Sequence, residues 1–152
     1  MRVNIVYSLI IPVRSRSSIK IGALGNLKFE KGFYVYTGSS MSYGMKRVLR
    51  HTSKNKKLRW HIDYLLNSHP FSHVIFAEVE RKMECEVASK LRNTAFGEAP
   101  KFGSSDCNCK SHLFYFPSFS EAVTLSEKSY VELGLKPKIL RIQELLRESP
   151  VI

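Results

Sequence analysis

The chain of 152 residues is short of cysteine, of long apolar runs and, in its first half, of negative charge. Three cysteines make an odd number for a disulfide framework, which fits reduced thiols in the cytosol better than a stapled secreted fold. No apolar run approaches the ~20 residues that span a bilayer as a helix. The early stretch "VNIVYSLIIPV" is short and leads into sequence of globular type, not into a small-residue cleavage site. It reads as a strand rather than a signal peptide. These absences lead us to expect a cytoplasmic protein. There is no internal repeat and no low-complexity tract.

The missing acids are the most informative absence. Residues 1–70 hold 13 Lys and Arg against two acids, Glu30 and Asp63, whereas residues 71–152 hold 11 of each sign. The whole net charge of +11 therefore sits in the first half. One-sided positive charge is the footprint of a polyanion, most often nucleic acid. A membrane surface fits less well, because the basic segments lack a separate helix with bulky apolar residues opposite the charge.

What is present is one domain's worth of chain with 43% hydrophobic residues, enough to bury a core. Residues 3–13 alternate Val3, Ile5, Tyr7, Leu9, Ile11 and Val13, the period of a strand. "FYVYTG" and "HVIFAEVE" read as two further strands and "HLFYF" as a fourth, while "IKIGALGNLKFEKG" reads as a hairpin arm broken by glycine. Helices are expected over about 42–51, 57–67 and 82–93, with a Gly-, Pro-, Ser- and Asp-rich loop over 95–111. From about 119 onward the chain reads as helical. Its clearest part is "KPKILRIQELLRES", where Ile139, Ile142, Leu145 and Leu146 form a stripe. The class expected is α/β or α+β, a small sheet with helices packed on it.

Several side chains could carry chemistry. In "YTGSSMSYGMKRVLRH", Arg47, Arg50 and His51 stand at i, i+3 and i+4, while Met45, Val48 and Leu49 take the other side. That basic face is either solvated or holds something negative. Glu84 lies three, four and seven residues before Val87, Ala88 and Leu91, at the end of a buried stripe. There a carboxylate needs a cation, a metal or donors, unless it only favours the helix dipole. Tyr7 and Tyr36 are core tyrosines by default, although a phenol beside an arginine can also move a proton. In "LRWHIDYLL", His61 reads as a core-edge histidine and Asp63 as a salt-bridge partner. The loop "GSSDCNCKSH", residues 103–112, could ligate zinc through Cys107, Cys109 and His112, with Cys85 or Asp106 as the fourth group. Because C-x-C-x₂-H is not a standard spacing, a tight turn over small thiols is the favoured reading. Alternatively, Ser104, Ser105, Asp106 and His112 border a cleft.

Together, "Tyr-Thr-Gly-Ser-Ser", the helix with Arg47-x-x-Arg50-His51 and the later Glu84 resemble the GIY-YIG nuclease superfamily. The run "GFYVYTGSS…RVLRH…LRWHIDYLL…ECEVASKL…FGSSDCNCKSHLFYF" is similar, more closely, to a subgroup of small GIY-YIG-like proteins. Members of that subgroup also occur joined to endonuclease-III-type DNA glycosylases. The resemblance covers about residues 4–118. It implies a domain over 1–118 with a small central three-stranded antiparallel sheet flanked by helices. Residues 119–152 are then a helical extension packed on the same domain. The resemblance implies a divalent-metal-dependent endonuclease acting on nucleic acid, DNA more than RNA, in repair or processing, with a DNA-repair protein as a candidate partner. Tyr7, Tyr36, Arg47, His51 and Glu84 are its implied catalytic residues. Arg47 would hold the scissile phosphate, and Glu84 would bind Mg²⁺ or Mn²⁺. Arg14, Arg16, Lys46, Arg50, Lys54, Lys56 and Lys57 are the candidate nucleic-acid contacts.

The sequence departs from the superfamily pattern in three ways. Ile5-Val6-Tyr7 replaces Gly-Ile-Tyr, Tyr7 and Tyr36 are 29 residues apart, and the late asparagine has only Asn93 and Asn108 as candidates. The alternatives are a nucleic-acid-binding module that kept the scaffold and lost the reaction, and, less favoured, a zinc-stabilised interaction protein.

Overall fold

The computed structural model describes residues 3–148. The long apolar run at the start forms β1 (Ile5–Val13), and the β-branched and aromatic run, continuing through Gly38 and the two serines after it, forms β4 (Gly32–Ser40). They pair antiparallel along their full length, from Ile5 opposite Ser40 to Val13 opposite Gly32, which sets Tyr7 opposite Gly38. Between them a 3-10 turn joins β2 (Ser17–Lys20) and β3 (Asn26–Phe29) in a separate two-stranded ribbon. That ribbon accounts for the long separation of Tyr7 and Tyr36. It is a packed insertion whose Ile21 and Phe29 are buried in the core.

The chain continues through α1 (Met45–Arg50), α2 (His61–Ser68), β5 (His73–Glu78) and α3 (Glu84–Thr94). It ends with β6 (Gly97–Glu98), β7 (Leu113–Phe116), α4 (Phe119–Glu132), β8 (Lys138–Arg141) and α5 (Ile142–Glu148). The main sheet has six strands in the order β6-β7-β4-β1-β5-β8, every neighbouring pair antiparallel. The α+β class holds, but the expected small three-stranded sheet does not. β4, β1 and β5 are only its middle.

The strands missed were those that carry no period of their own. β6 is two residues long, and β8 lies inside the apparent helical stripe of the C-terminal segment. There the open edge of β5 overrides helical spacing, and Leu140 pairs opposite Val74 and packs on the core. Ile139 and Leu146, counted in that stripe, are instead exposed. The expected helical extension is thus helix, strand, helix, and its residues 149–152 lie outside the described residues.

β1 is buried on both faces. Ile5, Tyr7, Leu9, Ile11 and Val13 point to one core, shared with α1, α2, the ribbon and α5. Val6 and Ile10 point to the other, shared with α3 and α4. On that second side Ser8 Oγ hydrogen-bonds with Thr37 Oγ1 at 3.0 Å and with the Tyr130 hydroxyl at 2.9 Å. Tyr130 in turn donates to the carbonyl of Ile75, so α4 is keyed into the middle of the sheet by satisfied polar groups. Among the described residues no helix is long and apolar enough to cross a membrane.

Candidate active site

A cavity of about 320 Å³ opens where the starts of α2 and α3 approach β1 and β4. Tyr7 from β1, Tyr36 from β4, Arg47 from α1 and Glu84 from α3 all line it. These four positions are far apart in sequence and come from two neighbouring strands and from one helix on each face of the sheet. His51 lies directly behind. Its Nε2 is 2.8 Å from the Tyr7 hydroxyl, and the rings of Tyr7, Tyr36 and Trp60 surround it.

The close approach of Tyr7 explains the glycine inside β4. A Cβ on Gly38 would lie 2.9 Å from the Tyr7 hydroxyl and 3.0 Å from the ring carbon that bears it. Glycine there is the space the phenol occupies. We expect Gly38→Ala to cost roughly 1–3 kcal/mol by overpacking. It should also loosen the Tyr7–His51 hydrogen bond, read as a shifted imidazole resonance in the variant's NMR spectrum. An unshifted resonance and unchanged melting would refute this role.

Burial sets the protonation of the pair. It raises the Tyr7 hydroxyl well above the ordinary phenol value, with Tyr36 adding to it, and it pulls His51 down to about 3. The proton therefore sits on Tyr7 and His51 is neutral, so His51 adds no positive charge to the helix face on which spacing had put it. The unfolded chain takes up a proton on this histidine below its ordinary 6.5, while the folded chain does not until about 3. Stability should thus fall with acidification across that window, by about 1.4 kcal/mol per pH unit from His51 alone. Burial shifts His61, His69, His73 and His112 in the same direction, so they steepen the slope. Urea melts at several pH values should show His51→Gln flattening it by that one-group increment.

The three basic positions of α1 have different fates. Arg47 Nη1 donates to the Ser39 carbonyl at 2.7 Å, its guanidinium carbon lies 5.1 Å from the centre of the Trp60 ring, and the side chain borders the cavity. Arg50 also lies over Trp60, at 4.3 Å, but its fork grips Asp63 at 2.9 and 3.2 Å and the Lys57 carbonyl at 3.1 Å. Asp63 is fully buried and also accepts from the backbone N–H of Arg59 and Trp60. That capping starts α2 at His61, later than residue 57 as periodicity suggested. Burial pushes the Asp63 carboxyl up, but the hydrogen bonds from Arg50, Trp60 and Arg59 outweigh it and hold the group below its ordinary value.

None of Arg14, Arg16, Lys46, Arg50, Lys54, Lys56 or Lys57 lines the cavity. Arg14 and Arg16 follow the far end of β1, ~23 Å of extended chain from Tyr7, and Arg16 pairs with Glu30 at 3.1 Å. The cavity's other cations are Arg59 and Lys82, which the sequence reading did not single out. Arg59 sits within "LRWHIDYLL" and Lys82 two residues before Glu84, so proximity to those motifs was the available signal. Of the late asparagines, Asn108 borders a neighbouring cavity and Asn93 is exposed.

The loop 103–112 forms the opposite wall, contributing Ser105, Asp106, Cys107 and His112. Gly103, at φ +70°, donates its N–H to His61 Nδ1 at 2.8 Å, and a Cβ there would press within 3.0 Å of the Tyr36 ring. His61 is thus a satisfied core-edge group, as its spacing implied. Behind the wall, donor atoms of Cys85, Cys107, Cys109 and His112 all lie within 4.8 Å of one another, a group that could hold a metal ion. Cys85, at the start of α3, joins the three loop residues, and Asp106 stays apart on the cavity side.

Glu84 is the cavity's second feature able to meet a cation. Its side chain is 21% exposed, and its one ion-pair partner among the described residues is Lys82, at 4.0 Å. A hard cation such as Mg²⁺ takes one or two carboxylates and completes its shell with water and substrate oxygens, so Glu84 fits it, in a polar cavity that Asp106 also lines.

A family model described as "Domain of unknown function DUF123" matches residues 6–135, from β1 through α4. No curated protein and no solved structure matches the chain.

Proposed function

We propose, for a chain that belongs to the DUF123 family, a GIY-YIG-type endonuclease function: divalent-metal-dependent hydrolysis of nucleic-acid phosphodiesters, with DNA as substrate, in repair or processing. The observation that carries this reading is the convergence of Tyr7, Tyr36, Arg47 and Glu84 on one cavity.

Arg47 is suited to grip phosphate oxygens through the part of its fork not held by Ser39, and Trp60 keeps its guanidinium in place. Bound at Glu84, Mg²⁺ or Mn²⁺ would supply positive charge to polarise the phosphate and steady the leaving oxygen. The attacking water is to be deprotonated by Tyr7. Its proton passes to the phenol oxygen as the phenol's own proton moves to His51 Nε2, 2.8 Å away. Tyr36 orients that water. Arg59 and Lys82 add positive potential at the cavity for the strands on either side of the cut.

The test is incubation with branched, flapped and abasic DNA in the presence of Mg²⁺ or Mn²⁺. Nicking that needs the divalent ion and stops with chelator is the expected result; no cleavage on any substrate would overturn the reading. In that case the second reading, a binding module without turnover, gains support from Lys82, which already competes for the Glu84 carboxylate. Under either reading affinity falls steeply with salt. Arg59→Ala should reduce the slope of log affinity against log salt by about 1. An unchanged slope would remove Arg59 from the interface.

A further inference from the structure

The thiol cluster behind the cavity has features that a tight turn does not require. His112 Nε2 lies 3.4 Å from Cys107 Sγ and 3.8 Å from Cys85 Sγ. Four ligands around a tetrahedral zinc, at ~2.3 Å for sulfur and ~2.0 Å for nitrogen, stand ~3.5–3.8 Å apart. The two histidine–sulfur spacings are those of a ligand shell, and the remaining ones, none above 4.8 Å, need a contraction of no more than ~1.3 Å.

The histidine is also oriented for the role. Its Nδ1 lies 3.1 Å from the carbonyl of Thr37, which can only accept, so Nδ1 carries the proton and Nε2 turns its lone pair toward the sulfurs. A ring nitrogen fixed by a backbone carbonyl behind the ligand is the usual support of a zinc-bound imidazole. All three cysteines are free, and a four-member set of three thiols and one imidazole leaves no open position. Closed sulfur-rich sets of this kind are structural and select zinc over the hard cations that suit Glu84.

We propose that Cys85, Cys107, Cys109 and His112 bind one structural Zn²⁺ that ties the loop 103–112 to the first turn of α3 and so positions Glu84. The consequence follows from connectivity. Cys85 is the residue after Glu84, and Cys107 lies on the wall facing Tyr36 and Arg47. Without the ion, the wall is held at Gly103 and His112 by hydrogen bonds, while Cys107 and Cys109 lose their link to α3. On binding, the three thiols release their protons to solvent and the ion takes the sulfur electron pairs; nothing is oxidised. The zinc site stands independently of the nuclease reading, whereas its effect on Glu84 rests on it.

The experiment uses the full chain purified under reducing conditions with zinc supplied. Metal analysis should find one zinc per chain, and cobalt exchanged in should show thiolate-to-cobalt charge transfer with the intense visible bands of a tetrahedral ion. Stripping the zinc should lower the melting temperature by roughly 10 °C or more, reversed by zinc and not by Mg²⁺. Stripped protein that remains folded below its melting point should need roughly 10-fold more Mg²⁺ for half-maximal cleavage, a shift that stability loss alone does not produce. Glu84→Gln should keep its zinc, whereas Cys85→Ser and Cys107→Ser should lose it; the wild-type metal content and cobalt spectrum decide the matter even if those variants fail to fold. Absence of zinc, iron in its place, or a cobalt spectrum without sulfur character would overturn the site. Bound zinc with no cleavage would support the site and count against the nuclease reading alone.

Discussion

Arg47→Ala and Glu84→Ala should each lower divalent-dependent cleavage by about 10²–10³-fold or more, the scale seen when a preorganised charge at a transition state is removed. Neither change should unfold the protein. Arg47 loses one hydrogen bond to Ser39 and a contact with Trp60, together about 1–2 kcal/mol. Among the described residues Glu84 has one long ion pair to lose, with Lys82, and its carboxylate meets the cavity. A melting temperature within roughly 5 °C of the parent, beside a collapsed rate, is therefore the expected signature. Arg47→Lys separates two accounts of the same position. A lysine keeps the charge but not the bidentate fork, so a rate close to alanine's assigns the effect to phosphate grip, and near-full activity assigns it to charge alone. Cleavage that survives in both alanine variants would sink the proposed site.

A large stability effect should come from a residue outside the proposed chemistry. Asp63→Ala removes a carboxylate with no exposure that accepts two bonds from Arg50 and one each from the N–H groups of Arg59 and Trp60. Its loss strands a guanidinium whose side chain is only 28% exposed, and it uncaps α2. Breaking one side of such a pair costs about 3–5 kcal/mol, or a drop in melting temperature of roughly 10 °C in a chain of this size. Asp63→Asn, which preserves shape and some acceptor capacity, should cost less. A cost below about 1 kcal/mol for the alanine change would show that Arg50 and the helix start are held by something else. Because Trp60 and His61 open α2 and both line the cavity, cleavage in Asp63→Ala should fall even at temperatures where the variant is folded.

The sequence carried some of this further than the rest. The strands with a period or a dense β-branched run, β1, β4, β5 and β7, were legible because burial imposes their pattern directly. β6 and β8 were not, since an edge strand of two to four residues takes its conformation from the neighbour it pairs with. The expectation of three strands came from the resemblance; of the strands it leaves out, β6 and β7 lie within its residues 4–118 and only β8 lies beyond them. The grouping of Tyr7, Tyr36, Arg47, His51 and Glu84 likewise came from the motif pattern, because no helical or strand period links positions on β1, β4, α1 and α3.

The division at α1 shows why. Spacing alone determined that Arg47, Arg50 and His51 share one side of a short helix opposite Val48, and composition determined that this half of the chain carries the net positive charge. Which of the three meets the cavity was decided only by tertiary structure. Asp63 claims Arg50, three aromatic rings bury a neutral His51 against the Tyr7 hydroxyl, and Arg47 is left at the opening. Likewise, the chain shows three cysteines and a histidine at an unremarkable spacing, and only the fold brings Cys85 from α3 to complete the set. Local periodicity reports which side of an element is apolar. The partner of a charged or ligating group arrives from distant sequence, so its role is settled by packing.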